Sequence, residues 1–162
     1  MPLTPLVHAV LLLALANGAP VLGKRLFDQR WSWPVDGGRV LWDGRRALGR
    51  SKTWRGLLLG CAVPTVAAPL LGLPWTIGAL FGACAMAGDL LSSFVKRRVG
   101  VATSGRAPAL DQLPEALLPL VVCRDALGLD AAGVALAAVI FWGGNVGLSP
   151  LLYRLGVRDR PY

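Results

Sequence analysis

The chain has 162 residues, of which 54% are hydrophobic and only 16% charged, and its mean hydropathy is +0.55. Apolar blocks of membrane-spanning length in so small a chain exclude an ordinary soluble domain and point to a single integral membrane domain over residues 1–162. The net charge of +8 suits anionic lipid or phosphorylated small molecules, and in a chain of membrane spans it leaves nucleic acid out as a partner.

The first apolar block covers about residues 3–23. It lacks the basic start of a signal peptide, although Ala14-Leu15-Ala16 resembles a cleavage site, and it reads as a retained first helix. His8 lies early in it and reads as a helix-end or interfacial histidine rather than a ligand. A long basic loop follows. Residues 24–56 hold nine Lys/Arg against three Asp. A loop of this length is unusual unless it is functional or disordered. Trp31, Trp33, Trp42 and Trp54 argue for order and suit an interfacial belt.

Within that loop, residues 44–51 read G-x-x-x-x-G-R-S, one residue type from a phosphate-binding P-loop. A true P-loop follows a buried strand and has Lys where this chain has Arg50, so the match is weak. The composition still favours a phosphate site. Gly44, Gly49 and Gly56 free the backbone to approach a ligand, and Arg45, Arg46, Lys52 and Arg55 can neutralise phosphate oxygens. The plainer alternative is a loop held to anionic lipid by charge alone. Charge alone has no need of the DGG and DG pairs at Asp36 and Asp43. The Asp43-Gly44 pair lacks the downstream Asp residues of a CDP-alcohol phosphotransferase signature.

Four more apolar blocks follow, at about 56–73, 75–95, 113–127 and 131–155. The block at 113–127 is marginal for a span of roughly 20 residues and carries Pro114, Glu115 and Pro119. It is expected to be tilted, broken or partly re-entrant. The Lys/Arg bias between blocks gives five transmembrane helices, the N-terminus outside and the C-terminus in the cytoplasm. Both basic loops then face the cytoplasm, where they can build one site.

AGDLLSSFVKRRVG, residues 87–100, places Asp89, Ser92 or Ser93, and Lys96 on one helical face. Asp89 is then roughly 10 Å deeper than Lys96, where an acid is costly unless paired or functional. The sharper reading is a metal-binding carboxylate with Ser and Lys/Arg reaching a phosphate; the plainer one is a structural Asp–Arg pair. In LDQLPE, residues 110–115, Asp111, Gln112 and Glu115 can reach one pocket, and Asp111 paired with Asp89 can hold Mg²⁺. Taken alone it is an ordinary helix start. Cys61, Cys84 and Cys123 are scattered through apolar blocks and read as core residues, with no disulfide or zinc pattern. No G-x-S-x-G or H-E-x-x-H is present, which disfavours serine-hydrolase and zinc-protease chemistry.

PVDGGRVLWDGRRALGRSKTWRG, then GDLLSSFVKRRVG, then LDQL, resembles the CDP-archaeol synthase family, itself related to phosphatidate cytidylyltransferase. The likeness extends to ANGAPVL, to Asn145 and to YRLGVRDRPY, and so covers essentially the whole chain. It implies a five-helix membrane enzyme that uses CTP and Mg²⁺ to convert a lipid phosphate to a CDP-lipid and pyrophosphate. By this resemblance Asp89, Lys96 and Asp111 are catalytic, and Asp89 and Asp111 hold the metal. Asp36, Asp43, Arg46, Lys52, Thr53, Arg55, Ser93 and Arg97 belong to the nucleotide and phosphate site. The family often has Gly before K-T-W-R-G, where this chain has Arg50-Ser51. It often reads L-D-Q-L-D, where this chain has Pro114 and then Glu115, so Glu115 is a further candidate metal ligand. The lipid stays open between an archaeal ether lipid phosphate, phosphatidic acid and a polyprenyl-type phosphate. A non-catalytic basic membrane protein that binds anionic lipid or a partner is the competing reading. Acyl transfer to a phosphorylated glycerol is a third, and no acyl-donor feature supports it.

Overall fold

The computed structural model describes residues 3–101 and 108–154. Six helices follow in order: α1 (Leu3–Phe27), α2 (Trp54–Leu70), α3 (Trp75–Arg98), α4 (Pro108–Val122), α5 (Arg124–Leu127) and α6 (Ala131–Arg154). Among the described residues no strand forms, and the loop between α1 and α2 contains only two isolated antiparallel bridges, Pro34 with Thr53 and Val40 with Arg46. The five apolar blocks thus correspond to the five longer helices. The fourth is displaced and broken: α4 starts earlier, at Pro108, and the chain leaves it at Val122 before the short α5. Gly128, at φ 70°, then ends α5, and the Leu129 amide returns to the Arg124 carbonyl.

α3 is packed between α2 and α4, while α1 runs against α2, α3 and α6. Glycines set those distances. A Cβ on Gly78 would stand 2.2 Å from the Pro64 carbonyl oxygen, and one on Gly82 would stand 2.7 Å from that of Gly60. On the other face of α3, a Cβ on Gly88 would stand 2.2 Å from the Pro114 carbonyl oxygen. Small residues let helix backbones approach closely, the usual way to gain packing where lipid removes the hydrophobic drive between helices. The apolar core gathers Leu12, Leu13, Phe81, Leu120, Cys123 and Phe141. Cys61, Cys84 and Cys123 are free thiols, as their apolar settings suggest.

Leu58, Val66, Leu80, Leu91, Val121 and Val139 face outward. Such a surface suits hydrocarbon rather than water. α1 and α3 are long and apolar enough to cross a membrane. The apolar stretches Trp54–Leu70, Gln112–Val122 and Ala131–Gly147 are shorter. Lys24 and Arg25 close α1, Arg55 opens α2, and Lys96, Arg97 and Arg98 close α3, so the basic ends of three helices gather with the long loop.

Candidate active site

A cavity of about 830 Å³ opens among the loop, the C-terminal half of α1, the start of α2, and α3, α4 and α6. Its wall carries Arg46, Arg50, Lys52, Thr53 and Arg55 from the loop and α2, with Lys24 from α1. Asp89 of α3 and Glu115 of α4 face the same space, as do Asn17 of α1 and Asn145 of α6. Five of these six basic and polar groups come from a segment of ten residues, and the loop's internal bonding explains how that segment is held.

Asp36 is the centre of the loop. Its Oδ1 accepts from the Gly38 amide at 3.0 Å, and its Oδ2 accepts from the amides of Leu48 at 3.2 Å and Gly49 at 2.9 Å. The Arg46 guanidinium closes on both carboxylate oxygens. Burial of Asp36 raises its pKa, but the Arg46 contact and the amides of Gly49, Gly38 and Leu48 outweigh it and hold the carboxyl at about 2 against an ordinary 3.8. The resemblance implies a nucleotide-site role for Asp36; here its carboxylate is turned inward, 7% exposed, and its hydrogen bonds tie the loop. The same contacts remove the P-loop reading, since the Gly49 amide is taken by Asp36 and no strand precedes it.

Asp43 is likewise engaged away from the cavity. Arg98 of α3 donates to its Oδ1 at 2.8 Å and to the Arg46 carbonyl at 2.7 Å. Arg45 answers by donating to the carbonyls of Arg97 at 3.2 Å and Arg98 at 2.8 Å, which are among the last acceptors of α3. Gly100, at φ 83°, makes this exchange possible: it turns the chain out of α3 while the Arg45 guanidinium lies 3.2 Å from where its Cβ would be. The two basic segments are therefore one structure.

Thr53 caps α2, its hydroxyl accepting from the Gly56 amide at 3.2 Å. Arg55 is buried and donates to the carbonyls of Asp28 at 2.9 Å and Arg30 at 2.6 Å. It thereby holds the turn in which Asp28 and Trp31 take positive φ. Between these two anchors and Arg46, Lys52 reaches across to α3 and places its ammonium 2.5 Å from Asp89 Oδ1 and 2.7 Å from Oδ2.

Of the residues singled out in sequence, Arg46, Lys52, Thr53, Arg55, Asp89 and Glu115 are brought together. Ser93 and Arg97 are buried in α3, and with Lys96 they lie outside the cavity wall. Ser92 turns its hydroxyl back to the Asp89 carbonyl at 2.9 Å. Asp111 belongs to α4, and its side chain lies outside the described residues. Lys24 and Asn17 were not singled out as site residues. Asn17 was visible as an amide within the apolar run of α1, and Lys24 only as one charge among many.

Among the described residues no group of three or more His, Cys, Asp or Glu converges. Magnesium takes one or two carboxylates and completes its shell with phosphate oxygens and water. Asp89 and Glu115 share one cavity with several cations, which is the donor set a metal–polyphosphate complex needs.

A family model described as CarS-like, CDP-archaeol synthase, matches residues 15–77 and 72–162. The chain is 36% identical to the CDP-archaeol synthase of Sulfolobus acidocaldarius over 135 residues, 80% of this chain and 83% of that one. It is 33% identical to that of Thermococcus onnurineus over 164 residues, 91% of this chain and 89% of that one. It is 41% identical to that of Hyperthermus butylicus over 119 residues, 68% of each chain. A solved structure of an intramembrane enzyme for archaeal membrane lipids biosynthesis superimposes with a TM-score of 0.72 at 35% identity, covering 93% of this chain and 90% of that one.

Proposed function

The chain belongs to the CDP-archaeol synthase family, and from that premise we propose that it transfers the CMP unit of CTP to archaeol phosphate in the cavity between the basic loop and α3. It is an integral membrane enzyme that transfers CMP from CTP to a lipid phosphate, giving a CDP-lipid and pyrophosphate. The observation that supports the assignment of the site is the meeting of Lys52, Arg46, Arg50 and Arg55 with Asp89 and Glu115 in one cavity.

In this reading a lipid phosphate oxygen attacks the α-phosphorus of CTP, the bond to the β-phosphate oxygen breaks, and pyrophosphate leaves with its electron pair. Such transfers ask a protein chiefly for positioning and charge neutralisation. Arg46, Arg50 and Lys52 supply cations for the phosphates, and Arg55 and Thr53 fix the start of α2 that carries them. Asp89, Glu115 and Asp111 would hold Mg²⁺, which would neutralise charge on the nucleotide phosphates and the leaving pyrophosphate. Asp36 and Asp43 act on the loop, not on the nucleotide. Ser93, Lys96 and Arg97 lie beyond the cavity wall and receive no substrate contact in this proposal. The cavity faces the cytoplasm, where CTP is found, and the lipid chains stay in the bilayer while the headgroup reaches in.

Radiolabelled CTP incubated with membranes and a panel of lipid phosphates tests this. Label enters the lipid fraction with archaeol phosphate in preference to phosphatidic acid or polyprenyl phosphate, and Asp89→Asn lowers the rate about 100-fold or more. Equal incorporation into every lipid phosphate would remove archaeol phosphate as the preferred substrate. A chain that binds no CTP and releases no pyrophosphate would return the site to a lipid-binding role.

A further inference from the structure

The Lys52–Asp89 pair sits where the proposed chemistry needs a divalent cation. Among the described residues, Lys52 is the side chain that hydrogen-bonds the Asp89 carboxylate, and it covers both oxygens. Ser92 contacts only the Asp89 backbone carbonyl. Both side chains of the pair are largely withdrawn from solvent, at 20% and 24% exposed, so the contact is stronger than an open surface bridge. The backbone of Lys52 is fixed independently of its side chain. Its amide donates to the Gly49 carbonyl at 3.3 Å, and its carbonyl accepts from the Val35 amide at 2.8 Å. The next residue is the α2 cap. The four-carbon stem of Lys52 can therefore swing without moving the loop.

An ammonium spanning both oxygens of a carboxylate occupies the place of a metal ion. Bringing a divalent cation to Asp89 while Lys52 stays would set two cations against each other at short range. Polyphosphate changes that balance. Its oxygens give the Lys52 ammonium other acceptors and bring their own metal to the carboxylate. We infer that Lys52 is a stand-in cation: it keeps divalent metal off Asp89 in the nucleotide-free enzyme and yields the carboxylate when nucleotide arrives, so that metal and CTP bind together. This rests on the cytidylyltransferase reading, and it adds an order of binding to it. Because linkage is reciprocal, nucleotide that draws Lys52 away tightens metal by the same factor that metal tightens nucleotide.

The test is Mn²⁺ titration followed by electron paramagnetic resonance on the full chain in a neutral detergent, without nucleotide. Lys52→Gln binds Mn²⁺ on the order of tenfold more tightly than wild type, the size expected from one charge-assisted contact. Lys52→Arg keeps the cation and stays near wild type. Asp89→Asn in the Lys52→Gln background abolishes the gain. Thermal unfolding of each variant confirms that folded protein is compared. If wild type makes CDP-lipid and Lys52→Gln shows no tightening, the inference falls and the enzyme reading stands. If Lys52→Gln tightens Mn²⁺ but neither protein uses CTP, the enzyme reading falls and the metal block stands. Tightening that persists with Asp89→Asn would assign the metal to other residues and overturn the inference.

Discussion

Asp36 stands before two glycines in a polar loop, and from its neighbours it has the look of a ligand-binding acid. Three amides and one guanidinium converge on it instead, and they come from both arms of the loop. Its folded pKa of about 2 lies below the ordinary 3.8, so the fold holds the ionised form. The stability it contributes is complete above about pH 4 and is lost as the pH falls through about 2. That difference corresponds to about 2 kcal/mol. Asp36→Asn is therefore expected to loosen the loop already at neutral pH, seen as changed fluorescence of Trp31, Trp33 and Trp42. The wild-type loop shows the change only below about pH 4. An unchanged emission spectrum and acid profile in Asp36→Asn would remove Asp36 from this role.

α3 was legible almost completely. Its apolar run, the lone Asp89 and the basic close at residues 96–98 fixed its position and its polar end. The K-T-W-R-G segment was legible only through its cations and the family resemblance; that Thr53 caps α2 and that the helix begins at Trp54, ahead of the apolar block, was not. What could not be read was which charges are spent on other charges. Asp43 and Arg98 are fifty-five residues apart, and nothing local marks them as partners. The same holds for Ser93, which shares a helical face with Asp89 in projection but is buried by packing. Gly88 belongs to this scale as well. It was one small residue among many, yet it lets α4 approach and brings Glu115 to the cavity that Asp89 faces. Gly88→Ala puts a methyl against the Pro114 carbonyl and pushes α4 away without touching either carboxylate. An activity loss of about 100-fold is expected, as for a displacement on the order of 1 Å. The measurement is CDP-lipid formation beside the melting temperature; full activity would show that the α3–α4 spacing is not needed.

At the scale of the molecule, an apolar bundle carries one polar, basic end. By the positive-inside rule the Lys/Arg distribution favours that end in the cytoplasm and the N-terminus outside, an orientation we propose and that labelling tests. A single cysteine at Arg39, with Cys61, Cys84 and Cys123 replaced, should resist a membrane-impermeant maleimide in intact cells and react after lysis. Labelling in intact cells would invert the molecule. The loop's pairing has one more consequence. Asp36 and Asp43 are each matched to an arginine, yet residues 24–56 carry nine Lys/Arg against three Asp, so the segment keeps a net positive charge and with it a positive potential. A triphosphate meets that potential before it meets any single side chain. Encounter, rather than chemistry, should then carry the salt dependence. Raising ionic strength from 10 to 500 mM should lower kcat/KM for CTP several-fold while kcat stays nearly level, because screening shortens from roughly 30 Å to a few ångströms. A flat kcat/KM across that range would mean that the surplus charge serves the bilayer surface alone.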